Sequence, residues 1–290
     1  MLQLDADFLK RCEFYHRAAQ RTWGRRFLAR REELRLAGGT EVTGYTDYTS
    51  GNDLRYVDWN RCARHDELVV KLFQGNEDNY TYFLLDCSTS MRRGDGQKFA
   101  TAQELSTALV YLALANLDCV GLATFDNRLT AEHPAVRGKQ LFPRLFNFIA
   151  DQSVDDAKPT DLLTATEAFV ARGYRSGLAI VISDGFDPRF VTALDLLRRR
   201  DYEPYVLRIV DVFDEEPEVL GGVRLTDVEA GQTVRQSIDE TDLANYRQVL
   251  EEHREQLRKY CSRYGIGLMH IRAETSVAQS LERIVQAGRA

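Results

Sequence analysis

The sequence predicts an α/β protein with a doubly wound, mostly parallel sheet, an N-terminal helix and a small extra β segment. Three observations carry that prediction. The apolar run Tyr80 to Leu85 reads as a buried strand and stops abruptly at Asp86-Cys87-Ser88-Thr89-Ser90, the way a doubly wound sheet ends its central strand at a ligand site. Gly177 to Ser183 is almost continuously apolar and closes on Asp184-Gly185, the mark of a strand covered on both faces. Between and beyond them, strand-like and helix-like stretches alternate, which indicates parallel strands joined by helices.

The chain opens with a helix over about residues 5 to 36, with Leu9, Cys12, His16, Ala19 and Trp23 on one stripe and Gly38-Gly39 as its stop. Its part from Arg21 to Arg35 holds six arginines against Glu32 and Glu33. That stretch suits a nucleic-acid or anionic-lipid surface; alternatively it is a solvated helix face or an intramolecular clamp onto an acidic body, which the acidic overall charge and the Arg–Glu spacing favour. Ser50-Gly51-Asn52-Asp53 is a turn, Glu67 to Phe73 a strand, and Gly75 to Asn79 a second turn. Residues 1–78 are thus read as a helix plus β segment packing on a core domain over 79–290.

Within that core the prediction is a helix over Lys98–Asn116, a strand over Asp118–Phe125 and a turn at Asp126-Asn127. Helices follow over Gln140–Ala150 and Asp161–Arg172. After the Gly177–Ser183 strand come a helix, Phe190–Arg200, and a strand, Glu203–Val210. Residues 211–239 change character and read as a β insertion. A long helix, Asp242–Tyr264, places Leu243, Tyr246, Val249, Leu250, Leu257 and Tyr260 inward and ends at Gly265. Ile266–Ile271 is the last strand and Ser276–Ala287 the last helix. Right-handed crossovers bring the loops after Leu85 and Ser183 to one edge of the sheet.

Hydrophobic residues make up 44% and charged ones 28%, an ordinary globular balance, and the net charge of −6 does not advertise nucleic-acid binding. The five cysteines are scattered without a C-x-x-C pair, which argues for reduced thiols over a disulfide framework or a zinc site. Met1 to Asp5 lacks a signal-peptide pattern, and no apolar run approaches the roughly 20 residues that span a bilayer. The expectation is a cytoplasmic protein with no membrane span and no nucleic-acid partner.

Asp86, Ser88 and Ser90 alternate, so one tight turn can bring three oxygens to a point. Oxygens of that hardness suit Mg²⁺, Mn²⁺ or Ca²⁺. The same residues could instead cap the following helix, with Asp86 accepting from backbone amides. An enzyme reading is also open: Asp86 as the phosphoryl-accepting nucleophile of a metal-dependent phosphoester hydrolase. Haloacid-dehalogenase-type phosphatases place a second Asp two positions on, where this chain has Ser88. There is no P-loop, no G-x-S-x-G elbow and no H-E-x-x-H, and the five histidines share no motif.

Asp86-x-Ser88-x-Ser90, with Thr160 and the Ile182-Ser183-Asp184-Gly185 strand end, resembles the metal-ion-dependent adhesion site of von Willebrand factor A-type domains over about residues 79 to 275. Lys158-Pro159 stands where that family usually has Gly-Gly before the Thr. Upstream, Gly51-Asn52-Asp53-x-Arg55-x-x-Asp58-Trp59 resembles the signature of the bacterial domain-of-unknown-function family fifty-eight, with Asn52 in place of its first Asp. The resemblance implies a Rossmann-type sheet and one divalent ion, Mg²⁺ or Mn²⁺/Ca²⁺, shared by Asp86, Ser88, Ser90, Thr160 and Asp184. It implies a non-enzymatic, chaperone-like adaptor that works with a MoxR-type AAA+ ATPase or its client through an acidic side chain.

Overall fold

The computed structural model describes residues 6–20, 41–48, 56–65, 68–74, 79–92, 97–154, 160–215, 221–226 and 233–287. The Arg21–Arg35 segment, the Gly38-Gly39 stop, the Ser50–Asp53 turn, Gly75–Asp78 and Pro159 lie outside them. The chain divides into two compact units, one of 1–15 with 79–284 and one of 16–78 with 285–290. Among the described residues no helix is long and apolar enough to cross a membrane.

The smaller unit contains strands β1 (Glu41–Asp47) and β2 (Val69–Gln74), paired antiparallel, and the short helix α2 (Trp59–His65). Asp58 starts α2: its Oδ1 accepts from the backbone N–H groups of Asn60 and Arg61, both at 3.1 Å, satisfying donors a helix start leaves open. Arg61 lies 4.3 Å from the ring centroid of Tyr45, a cation–π contact between α2 and β1. Sequence patterning missed both β1 and α2. Gly44, Thr and Asp residues dilute the strand signal, and seven residues are too few to show a helical period.

The larger unit is built on a six-stranded sheet of order β10-β7-β6-β3-β4-β5. Its strands are β3 (Tyr80–Asp86), β4 (Cys119–Phe125), β5 (Leu129–Arg137), β6 (Leu178–Ser183), β7 (Glu203–Val210) and β10 (Gly267–Arg272). All neighbours are parallel except β4 and β5. This is the doubly wound, Rossmann-like arrangement expected from the sequence. The antiparallel edge strand β5 was not foreseen beyond its turn. Its residues are mostly half-exposed and include Pro134, which sits poorly in a central strand but suits an edge.

The helices are α1 (Ala6–Gln20), α3 (Gln97–Ala115), α4 (Phe142–Ala150), α5 (Leu162–Ala171), α6 (Phe190–Arg199), α7 (Val212–Glu215), α8 (Glu240–Tyr264) and α9 (Val277–Ala287). One core face gathers Tyr82 and Leu84 of β3 with Phe169 of α5, Leu194 and Leu197 of α6, and Leu257 and Cys261 of α8. Alternation along the strand sends Phe83 and Leu85 to the other face, which α3 covers through its contacts with β3, β4, β6 and β7. In α1, Phe8 and Cys12 are buried, and Glu13 accepts from Tyr111 Oη at 3.2 Å and Lys139 Nζ at 2.8 Å.

The insertion after β7 holds the four-residue helix α7 and the antiparallel pair β8 (Gly221–Thr226) and β9 (Thr233–Ile238). Asp239 and Asp242 form a capping box at the start of α8, and Gly265 ends it at φ 65°, a left-handed conformation that glycine adopts without a Cβ clash. Leu250 and Leu257 of α8 are buried as expected. Val249, at 65% exposure, and Tyr246, at 39%, are not: the upper half of α8 turns less of its circumference to the sheet than the apolar stripe suggested.

Phe169 is 1% exposed and meets the rings of Tyr82 and Tyr202 at 5.4 and 5.5 Å. Phe169→Ala should cost about 3–5 kcal/mol in urea unfolding, whereas Val249→Ala should change stability by less than about 0.5 kcal/mol.

Candidate functional site

Chain order places β4 on one side of β3 and β6 on the other, so the winding reverses between β3 and β6. In such sheets the crevice outside the carboxyl ends of the strands at the reversal is where ligands bind. Asp86 ends β3, and Ser183 ends β6 with Asp184 next in the loop.

Asp86 has no exposed surface. Its Oδ1 accepts from Ser88 N at 2.9 Å and its Oδ2 from Ser183 Oγ at 2.6 Å. Ser88 and Ser90 bring their hydroxyl oxygens within 3.1 Å of each other at the head of a 3₁₀ turn, Thr89–Arg92. The expected tight turn is therefore present, and Asp86 also takes the backbone amide that the capping alternative assigned to it. Burial, and then the charge of Asp184, raise the Asp86 carboxyl from 3.8 to about 7, against the hydrogen bonds from Ser183 and Ser88.

Asp184 is 1% exposed. Its Oδ1 accepts from Phe186 N at 3.3 Å and its Oδ2 from Lys98 Nζ, also at 3.3 Å. The same Lys98 ammonium, itself 1% exposed, donates to Asp214 Oδ2 at 2.8 Å. Burial alone would pull Lys98 down; the charges of Asp184 and Asp214 outweigh it and leave its pKa above the ordinary value. Asp214 is held in turn by α7, where its N–H donates to Asp211 Oδ1 at 2.7 Å.

Thr160 is half-buried, and the residues after it are pinned from two sides. Asp161 N donates to Asp126 O, just past β4, at 2.9 Å. Leu162 N donates to Asp187 Oδ2, in the loop after β6, at 2.7 Å. Asp187 Oδ1 also accepts from Arg189 N at 2.7 Å, so one carboxylate secures the starts of α5 and α6. Asp161 caps α5 by accepting from Thr164 N and pairs with Arg189. The three sequence segments thus end on one rim: Asp86–Ser90 after β3, Thr160–Leu162 beside the end of β4, and Ser183–Asp187 after β6.

Two further charges at this rim, Lys98 and Arg208, belong to no sequence motif. Lys98 opens a helix whose later turns, from Ala108 on, are apolar apart from the Tyr111 hydroxyl. Arg208 interrupts the apolar strand Tyr205-Val206-Leu207-Arg208-Ile209-Val210. A charge set inside a largely apolar element is the signal that marks both. Arg208 is fully buried and its Nε donates to the carbonyl oxygen of Asp184 at 2.8 Å.

Among the described residues no three His, Cys, Asp or Glu side chains cluster as a metal-holding group. The rim offers a different donor set, two buried carboxylates and three hydroxyls. That set fits a hard divalent cation by its chemistry: neutral and anionic oxygens only. The mutual repulsion of Asp86 and Asp184 is the charge such an ion would neutralise.

Comparison with known proteins gives remote relatives. The Mycobacterium tuberculosis (strain ATCC 25618 / H37Rv) protein Rv1480, described as uncharacterized, is 24% identical over 246 residues, covering 83% of this chain and 77% of its own. The uncharacterized Mycobacterium bovis protein Mb1516 matches to the same extent. Among solved structures, the conserved hypothetical protein BatB from Bacteroides thetaiotaomicron shares 16% identity at a TM-score of 0.44, over 72% of this chain and 96% of that one. A family model described as protein of unknown function DUF58 matches residues 44–256, and the chain belongs to that family.

Proposed function

We propose that the chain is a non-enzymatic, Mg²⁺-dependent protein-binding adaptor. In this reading Asp86, Ser88, Ser90, Thr160 and Asp184 form a metal-ion-dependent adhesion site of the von Willebrand factor A type. The observation that carries it is the pair of fully buried carboxylates, Asp86 and Asp184, set at the winding reversal beside the facing Ser88 and Ser90 hydroxyls.

The roles follow from chemistry. Ser88, Ser90 and Thr160 are neutral donors, so they hold a cation without quenching its charge. Asp86 and Asp184 supply the compensating charge. Ser183, the Ser88 amide and Lys98 keep those carboxylates oriented. A divalent ion held this way supplies an electrophilic position that a carboxylate from another protein can take. The proposed partner is a MoxR-type AAA+ ATPase, or its client, presenting an acidic side chain; the resemblance of the Gly51–Trp59 and Asp86–Ser90 motifs supports that choice.

Titration with Mg²⁺ or Mn²⁺ in a calorimeter, alongside thermal unfolding, tests the metal. Mg²⁺ about a hundredfold above its Kd should stabilise the protein by about 2.7 kcal/mol, and Asp86→Ala should abolish that gain. Capture of the ATPase should be lost in chelator and in Asp86→Ala. Capture indifferent to both would remove the cation from the mechanism.

A pH dependence follows from the same pair. The folded protein holds the Asp86 proton up to about 7, the unfolded chain to the ordinary 3.8. Between those values the folded state binds the extra proton, so stability in chelator should fall as pH rises from about 4 to 7. Urea midpoints across that range should show the loss in the native protein, a flatter profile in Asp86→Asn, and recovery at the upper end on adding Mg²⁺.

A further inference from the structure

Nine large hydrophobic side chains are exposed among the described residues, and four of them belong to two neighbouring helices of the larger unit: Val212 (52%) and Phe213 (42%) of α7, Tyr246 (39%) and Val249 (65%) of α8. Single exposed hydrophobics need no explanation, but a group of them marks a contact surface. Tyr246 joins the two helices, since its hydroxyl donates to the carbonyl oxygen of Asp214, the residue after Phe213, at 3.2 Å.

The group continues to the rim. Residues four apart on a helix share a face, so Val249 stands one turn from His253. His253 Nε2 donates to the carbonyl oxygen of Gly185 at 2.7 Å, and its ring stacks on Phe186 at 6.1 Å and 20°. Phe186 N donates in turn to Asp184 Oδ1 at 3.3 Å. Phe186 and His253 are half-buried, so a strip runs from beside Asp184 over both rings to Val249.

Nothing in the fold requires Val249 to be apolar. Ala244 through Val249 are all exposed, so no side chain of that stretch is packed into the core. The stretch is nonetheless held in shape. The Asp239–Asp242 capping box closes the start of α8, and the bond from Tyr246 to Asp214 fastens it further on. A preformed surface loses little conformational freedom when a partner covers it. Glu251 and Glu252, both exposed, border the strip beyond Val249.

We propose that this strip, from Phe186 to Val249, is the second half of the docking surface: it takes an apolar side chain of the partner segment whose acidic residue enters the cation's open position at the rim. The proposal rests on the adhesion-site reading of Asp86, Ser88, Ser90, Thr160 and Asp184. The cation fixes one residue of the segment as acidic. The strip calls for an aromatic or branched aliphatic residue close to that acid in sequence. Glu251 and Glu252 repel further acids, so a polyacidic segment is selected against. The two contacts together separate one partner from the many proteins that expose a carboxylate.

A phage-displayed library of random peptides, panned on the protein in Mg²⁺ and eluted with chelator, tests it. Recovered peptides should pair an acidic residue with a nearby aromatic or branched aliphatic one. A synthetic copy of the strongest should bind Val249→Glu at least about tenfold more weakly than the native protein, while that variant keeps native Mg²⁺ affinity in the calorimeter. Glutamate is a good helix former and the position is exposed, so the variant folds. Peptides that carry acids without an apolar residue, or a peptide bound by Val249→Glu as tightly as by the native protein, overturn the strip and leave the adhesion-site reading standing. Native protein that binds no Mg²⁺, or yields no chelator-eluted peptide, overturns both.

Discussion

A carboxylate without access to water is the constraint on which the larger unit turns. The central strand β3 delivers Asp86 to the sheet's carboxyl edge with 0% exposure, and a charge there is expensive unless its surroundings answer it. They do so in layers. Ser183 and the Ser88 amide donate to Asp86 directly. Asp184, which repels it, is answered by Lys98, and Lys98 is shared with Asp214. Removing one member leaves another charge buried without its counterpart, so the group acts as a unit.

That unit reaches well beyond the turn after β3. Lys98 comes from α3 and Asp214 from α7, at the foot of the β8–β9 insertion. Tyr246 of α8 donates from its hydroxyl to the carbonyl oxygen of Asp214 at 3.2 Å. Glu215, next along α7, takes Arg254 from α8 and Arg272 from β10. Elements that are distant in sequence and follow different strands are thereby tied to one edge of the sheet by hydrogen-bonded charges. The insertion is rooted in polar contacts, a different cement from the aromatic packing of Tyr82, Phe169 and Tyr202 beneath the sheet.

The strands buried on both faces were legible as runs: Tyr80–Leu85, Asp118–Phe125, Gly177–Ser183 and Glu203–Val210 all lie within one residue or two of the observed elements. So were the Gly265 cap and the turn that brings Ser88 to Ser90. What escaped is local signal too weak to stand out, as in β5 and α2, or partnership with no local signal at all. Lys98 meets acids 86 and 116 positions away, and Arg208 meets a backbone carbonyl 24 positions back. Nothing in the neighbouring residues of either names those partners. The inward assignment of Val249 failed for a related reason: apolar spacing marks a stripe, but the length of helix that touches the sheet is decided by where the sheet ends.

Pro134 gives the border strand β5 a property that reaches past this one molecule. A sheet margin with every amide available is a template on which another chain can register. Proline contributes no donor at its position, and the pairing of β4 with β5 shifts register between Val120 and Leu122 and again between Thr124 and Phe125. The rung spacing along that margin is broken. A foreign strand, or β5 of a second copy, finds no uninterrupted ladder to extend, so growth of the sheet by accretion ends there.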